Sequence, residues 1–245
     1  MKGIELLLPD WPAPPQVRAG TTTRQGGVSL PPYNTLNLAS HVGDEPRAVA
    51  ENRRRLREQL QLPEEPRWLN QVHGRCAADA AVVAAPCDAD ASFTALPGVV
   101  CAVLTADCLP LLLCDRAGTK VAAVHAGWRG LHGGVIEQTV RAMNIAGEEL
   151  LAWLGPAIGP AAFEVGGEVR DAFMAVDARA AQAFRTHGER WLADLYLLAR
   201  QRLAAVGVTD VFGGGRCTFH EPDKFYSYRR EAQTGRMASL IWLEV

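Results

Sequence analysis

Long apolar stretches are missing from this sequence of 245 residues: the first, Ile4 to Leu8, is stopped by Pro9 and Asp10, and no later one approaches the ~20 residues of a membrane span. The same opening run is too short for the apolar region of a secretory signal. There is no Ser/Gly-rich linker, charge block, low-complexity tract or internal repeat, so a single domain over residues 1–245 is expected. Charge of one sign is also lacking. The formal net charge of −2 comes from 25 basic and 27 acidic residues spread along the chain, which argues against nucleic acid or a membrane surface as a partner. The short basic run Arg53-Arg54-Arg55 reads as the solvated face of a helix. The six cysteines lie mostly inside apolar runs rather than in a dense framework, as in a reducing, cytoplasmic setting.

What is present is an ordinary globular composition, 48% hydrophobic and 21% charged. Residues 17–42 read as an extended, loop-rich entry. A helix follows, with Asp44 as N-cap, Pro46 in the first turn, Val49, Leu56 and Leu60 on one face, and Pro63 as the stop. Val99 to Leu104, Leu111 to Cys114 and Val121 to Val124 are short apolar runs separated by Asp, Pro and Gly, the pattern of strands buried on both faces. Helices are expected at Gly133 to Ala146, around Glu168 to Met174, and from about Glu189 to Ala205. Further strands are expected at Leu150 to Leu154 and Ala238 to Leu243. The result is an α/β (α+β) domain with a mixed central sheet flanked by helices.

Polar residues that interrupt the apolar runs are the chemical signal. Cys108 follows Thr105-Ala106-Asp107 at the end of one strand, His125 ends another just before Gly127, and His73 precedes Gly74. Strand ends that open into loops commonly carry functional groups. Two imidazoles and a thiolate suit zinc, with a fourth position open for water or substrate. Their separations of 35 and 17 residues match no short structural zinc signature. A buried cysteine beside two hydrogen-bonded histidines is the ordinary alternative.

Ordered blocks along nearly the whole chain resemble the laccase-domain family, first described as multicopper polyphenol oxidases and later as purine nucleoside phosphorylases. They include Gly26-Gly27-Val28-Ser29, His41-Val42-Gly43-Asp44, Gln71-Val72-His73-Gly74, Ala106-Asp107-Cys108-Leu109-Pro110 and His125-Ala126-Gly127-Trp128-Arg129-Gly130. Gly155 to Pro160, Phe163 to Gly166, Phe225 to Arg230 and Thr234-Gly235-Arg236-Met237-Ala238 continue the match. The resemblance implies one zinc ion on His73, Cys108 and His125. It also implies phosphorolysis of adenosine, inosine, guanosine and methylthioadenosine, a separate adenosine deaminase activity and, in a bacterial branch, peptidoglycan precursor editing. The sequence departs from the family at Glu231-Ala232, where Asp-Gly is usual.

Those activities assign roles. Zinc can lower the pKa of bound water towards ~7, which suits deamination with Cys108, His125 and Asp107 as the catalytic set. Phosphorolysis needs a held phosphate, for which Arg24, Arg129, Arg229 and Arg230 are candidates, with His41 lining the pocket. Phe225, Tyr226 and Tyr228 are candidate stacking partners for a purine. Copper is the alternative metal, since the same donors bind it more tightly than zinc. A multicopper oxidase, however, consumes many imidazoles, and this chain has six histidines and no His-x-His pair. A third reading makes Cys108 a nucleophile activated by His125. The expected partners are purine nucleosides and inorganic phosphate, in a monomer or small homo-oligomer.

Overall fold

A computed structural model describes residues 3–83 and 86–244. In chain order the strands are β1 (Leu6–Leu7), β2 (Val17–Thr22), β3 (Ala77–Asp79), β4 (Ala91–Thr94), β5 (Cys101–Thr105), β6 (Leu109–Asp115), β7 (Val121–Ala126), β8 (Leu150–Leu154), β9 (Glu164–Val165), β10 (Phe184–His187), β11 (Arg190–Ala193), β12 (Asp210–Gly213) and β13 (Met237–Leu243). The α-helices are α1 (Pro46–Leu60), α2 (Trp128–Gly133), α3 (Val135–Met143), α4 (Gly167–Val176) and α5 (Leu195–Ala205). Among the described residues no helix is long and apolar enough to cross a membrane.

The expected mixed sheet is present, in the order β12-β8-β6-β7-β4-β3, and a second, antiparallel sheet β1-β2-β13-β5 is packed on it. A small third sheet is formed by β10, β11 and β9. Strand periodicity explains the stacking. Along β6 and β7, Leu109, Leu111, Leu113, Ala122 and Val124 face a helical layer with Val135, Ile136, Met143, Leu198 and Leu203. Their alternates Leu112, Cys114, Val121 and Ala123 meet Cys101, Val103, Ile241 and Leu243 of the second sheet. Every residue of both strands is buried, which is why each reads as a continuous apolar run. On the far side of the second sheet, Leu56 of α1 packs with Leu104, Leu240 and Trp242. Four layers result, helix, sheet, sheet and helices.

The elements follow the sequence closely, with two corrections. Helix α1 starts at Pro46, but its N-cap is Glu45, without a side-chain cap bond. The Asp44 carboxylate instead accepts from the Ser29 hydroxyl and the Asn37 amide, so it fastens the entry loop. The helix expected from Glu189 begins only at Leu195. Gly188, at φ 59°, turns the chain so that Arg190–Ala193 pairs with Phe184–His187, and the Asp194 side chain then caps α5 by accepting from the Leu197 N–H.

Leu112 is fully buried where the two sheets mesh. Leu112→Ala is expected to lower unfolding stability by roughly 2–5 kcal/mol in denaturant titration, because the meshed sheets cannot collapse onto the lost volume. A loss well under 1 kcal/mol would mean that this layer is loosely packed.

Candidate metal centre

Two loop segments and a strand end bring the site together. Ala106-Asp107-Cys108 links β5 to β6, His125 is the penultimate residue of β7, and His73 lies in the segment leading to β3. Pairing of Pro110 with His125 in the β6/β7 ladder sets Cys108 beside the end of β7. His73 and Asp107 both adopt left-handed backbone, with φ 58° and 91°. Such conformations are costly for residues with side chains and persist only where the surroundings impose them.

For His73 the cause is Asp90, a fully buried carboxylate just before β4. Its oxygens accept from three successive backbone N–H groups, those of Val72 (3.3 Å), His73 (3.0 Å) and Gly74 (2.6 Å). The same carboxylate accepts from His125 Nδ1 at 2.8 Å, and the Asp90 carbonyl accepts from the His125 N–H at 2.7 Å. With Nδ1 so engaged, Nε2 is the free donor atom of His125, the carboxylate–histidine arrangement typical beside metals.

The donor atoms of His73, Cys108 and His125 all lie within 4.8 Å of one another, and Cys108 Sγ is 3.9 Å from His73 Nε2. Among the described residues this is the one such cluster of three or more metal-ligating side chains. His125 is buried, Cys108 half-buried and His73 exposed, so one side opens to solvent. A Cβ on Gly127 would stand 2.9 Å from Cys108 Sγ and 3.0 Å from His73 Cδ2, so only glycine leaves the space between the donors clear. The set fits a metal ion: soft and borderline donors, a fixed tautomer and a cleared centre.

Charge is tightly coupled here. Burial works to raise the Cys108 pKa, but the His125 and His73 rings outweigh it and bring the thiol well below its ordinary value. Burial likewise works against a charged His125, and the Cys108 thiolate with Asp90 reverses it. Asp90 is held below the ordinary carboxylate range, burial being outweighed by His125 and the Gly74 and His73 N–H groups. A metal that took these donors would displace the imidazole proton.

The other sequence candidates separate. Asp107 adjoins Cys108, and its oxygens accept from the Thr218 hydroxyl and the Arg229 N–H, each at 2.6 Å, so each oxygen already serves a structural hydrogen bond. Arg24 donates to the Asn34 and Pro222 carbonyls, and Arg230 to those of Thr218, Phe219 and Phe225, so both guanidiniums are spent on loop backbone. Arg229 donates from Nη1 to the Glu164 carbonyl, and Arg129 is exposed and stacked on Trp128 at 4.5 Å. Phe225 and Tyr226 are buried, whereas Tyr228 is 57% exposed. His41 lies on the rim of a cavity of about 600 Å³ that Arg53, Trp68, Asn70 and Leu104 also line.

Asp90 was not legible as a site residue. Its only trace is an acid between Ala89 and Ala91, two residues after Asp88, at the start of a buried strand. Arg236 was passed over as well. It directly precedes β13, whose Met237 pairs with Thr105, and this register sets Arg236 beside Ala106-Asp107-Cys108. Burial lowers its pKa, and the charges of Cys108 and Asp107 oppose that effect.

Fold and cluster together define a protein of mixed α/β architecture with a His-Cys-His site that could bind a metal. The chain belongs to the laccase-like family described as multi-copper polyphenol oxidoreductase laccase, whose model matches residues 18–244. It is 60% identical over 243 residues to the protein of Escherichia coli named purine nucleoside phosphorylase YfiH, covering 98% of this chain and 99% of that one. A Haemophilus influenzae protein with the same enzyme name is 47% identical over 244 residues, covering 98% and 100%. Among solved structures, a Neisseria meningitidis protein of the DUF152 family superposes with a TM-score of 0.95 at 52% identity, with all of both chains covered. YlmD of Geobacillus stearothermophilus gives 0.88 at 30% identity, covering 100% and 98%.

Asp90→Asn is expected to weaken zinc binding roughly 10–100-fold in chelator competition, since the amide cannot serve all four N–H donors. Gly127→Ala should act in the same direction by crowding Cys108. Unchanged zinc affinity in both variants would remove the cluster as a metal centre.

Proposed function

We propose that this chain is a zinc-dependent purine nucleoside phosphorylase acting on adenosine, inosine, guanosine and methylthioadenosine, with adenosine deaminase activity at the same centre. The observation that carries the reading is the His73-Cys108-His125 cluster, preset by Asp90 and open to solvent through His73. Relatives that share nearly the whole length and are named for this reaction support it. A multicopper oxidase needs a further cluster of imidazoles, and the described residues offer one three-ligand group only.

In phosphorolysis an oxygen of phosphate forms a bond to the anomeric carbon of the ribose as the bond from that carbon to the purine nitrogen breaks. The electron pair leaves on the purine, which takes up a proton. Such a reaction proceeds through positive charge on the sugar, so the protein must hold an anion close to it and position the base. His73, Cys108 and His125 would hold the metal, which when bound supplies electrostatic polarisation of a substrate oxygen or of water. Asp90 keeps the His125 proton on Nδ1, and Tyr228 presents an exposed aromatic face beside Arg236, its ring 5.9 Å from the guanidinium carbon. The lowered Cys108 thiol also fits a nucleophile, the one rival that a specific observation favours.

Protein purified without a metal-affinity tag should convert adenosine to adenine and ribose 1-phosphate only when phosphate is present. Cys108→Ala should abolish this together with bound zinc. Full activity in Cys108→Ala would eliminate the proposed centre, and an alkylation-sensitive activity in the metal-stripped enzyme would establish the nucleophile reading in its place.

A further inference from the structure

Two of the four arginines that the sequence singles out for phosphate are committed elsewhere, and the other two, Arg129 and Arg229, are exposed. Arg24 and Arg230 donate to backbone carbonyls, and their remaining nitrogens face Glu231, at 3.9 Å from Arg24 Nη2 and 3.5 Å from Arg230 Nε. A guanidinium committed to carbonyls on one edge and a carboxylate on another is a loop fastener.

Arg236 differs from Arg129 and Arg229, which are exposed, in being half-buried, and only its Nη1 is used, donating to the carbonyls of Thr234 at 2.9 Å and Gly235 at 3.0 Å. Among the described residues Nε and Nη2 have no protein acceptor, and no carboxylate lies within 4.0 Å of the group. Neither nitrogen is sealed from solvent. The two carbonyls fix the plane of the guanidinium and leave free the Nε–Nη2 edge, the edge that receives a carboxylate or phosphate side-on through two parallel bonds. The backbone is equally fixed, since the Arg236 N–H donates to Asn37 Oδ1 at 3.0 Å and the chain enters β13 at the next residue.

Its position is the second observation. The β13/β5 register sets Arg236 beside the turn that carries Cys108, and Tyr228 adjoins its guanidinium. A half-buried cation with a free fork, beside a centre open to solvent, is arranged for an anion.

We propose that Arg236 is the phosphate-anchoring residue of this enzyme, holding inorganic phosphate through Nε and Nη2 beside the His73-Cys108-His125 cluster. The proposal rests on the phosphorolysis reading above. It also assigns Arg24 and Arg230 to loop fastening rather than to substrate.

The test compares Arg236→Gln and Arg236→Lys with the wild type in zinc-loaded protein, measuring KM for phosphate and for adenosine separately, with bound zinc and melting temperature as controls. In Arg236→Gln the KM for phosphate should rise at least about tenfold, as expected when a bidentate charged contact is lost. The KM for adenosine should move by less than about twofold on the same scale, zinc content should stay level, and Arg236→Lys should fall between. A phosphate KM unchanged in Arg236→Gln, or one that rises in step with the adenosine KM, would overturn the assignment. Calorimetric titration of inorganic phosphate into wild-type and variant protein, each with and without zinc, reads the site without turnover. Binding lost in Arg236→Gln supports the anchor even if no nucleoside is cleaved, and equal binding rejects it even if phosphorolysis is observed. Should Arg236→Gln not fold, weakened phosphate binding in folded Arg236→Lys supports the anchor, and wild-type binding there rejects it.

Discussion

The Asp90 carboxylate accepts from three consecutive backbone N–H groups and from the His125 ring, and the arrangement of the site depends on that single buried charge. An isolated carboxylate in this position would be expensive to desolvate, and it is tolerated because each oxygen meets well-aimed donors. The contacts act in two directions. They hold residues 72–74 in a concave turn that places His73 at φ 58°, and they set the tautomer of His125. Two ligands from distant parts of the chain therefore share one acceptor. Removing it would free the His73 loop and the His125 proton together, whereas removing either histidine would leave the other still oriented.

The third ligand depends on the sheets. Strands β6 and β7 are buried on both faces, by helices on one side and the antiparallel sheet on the other, so their register has little freedom to slip. The ladder fixes Pro110 against His125, and the turn before β6 brings Cys108 to the same end. That turn reverses through Asp107 at φ 91°, held by the Thr218 hydroxyl and the Arg229 N–H. The loops at residues 218 and 229 thus fasten the turn that carries the thiol, which gives Asp107 a structural task whatever else it does. Two strained residues flank the cluster because the core behind them is rigid enough to impose their conformation.

Much of this was readable in the sequence wherever the signal was local. Continuous apolar runs marked β5 to β8, and Pro46 with the spaced Val49 and Leu56 marked α1. The three ligands stood out because polar residues interrupted those runs, although only the family blocks raised them above a buried cysteine with two bonded histidines. Asp90 and Arg236 stayed hidden for a physical reason: each acts through partners 16 to 35 residues away or across a sheet register that no sequence window contains. The strand at Arg190–Ala193 was read as helix because its pairing with Phe184–His187 is decided by the turn at Gly188, not by its own composition. The arginines nearest to conspicuous motifs are subject to the same limit. Whether a guanidinium is free or spent is a matter of which carbonyls surround it.

Charge balance at the site favours an anion over a second cation. Asp90 is neutralised locally by its N–H donors and the imidazole, and both Asp107 oxygens are hydrogen-bonded. The thiolate of Cys108 is then the one anionic group aimed into the centre. A divalent ion on one thiolate and two neutral imidazoles retains a net positive charge, and Arg236 adds another close by, with Asp107 acting on it only from beyond salt-bridge distance. The Arg236 fork is already oriented by the Thr234 and Gly235 carbonyls, so an anion held there would cost little further ordering of the side chain. Water needs no such fork. On the reading proposed above, the two nucleophiles of phosphorolysis and deamination would make separable demands on one cluster: both would use the donors preset by Asp90, and only phosphate would use the free edge of Arg236.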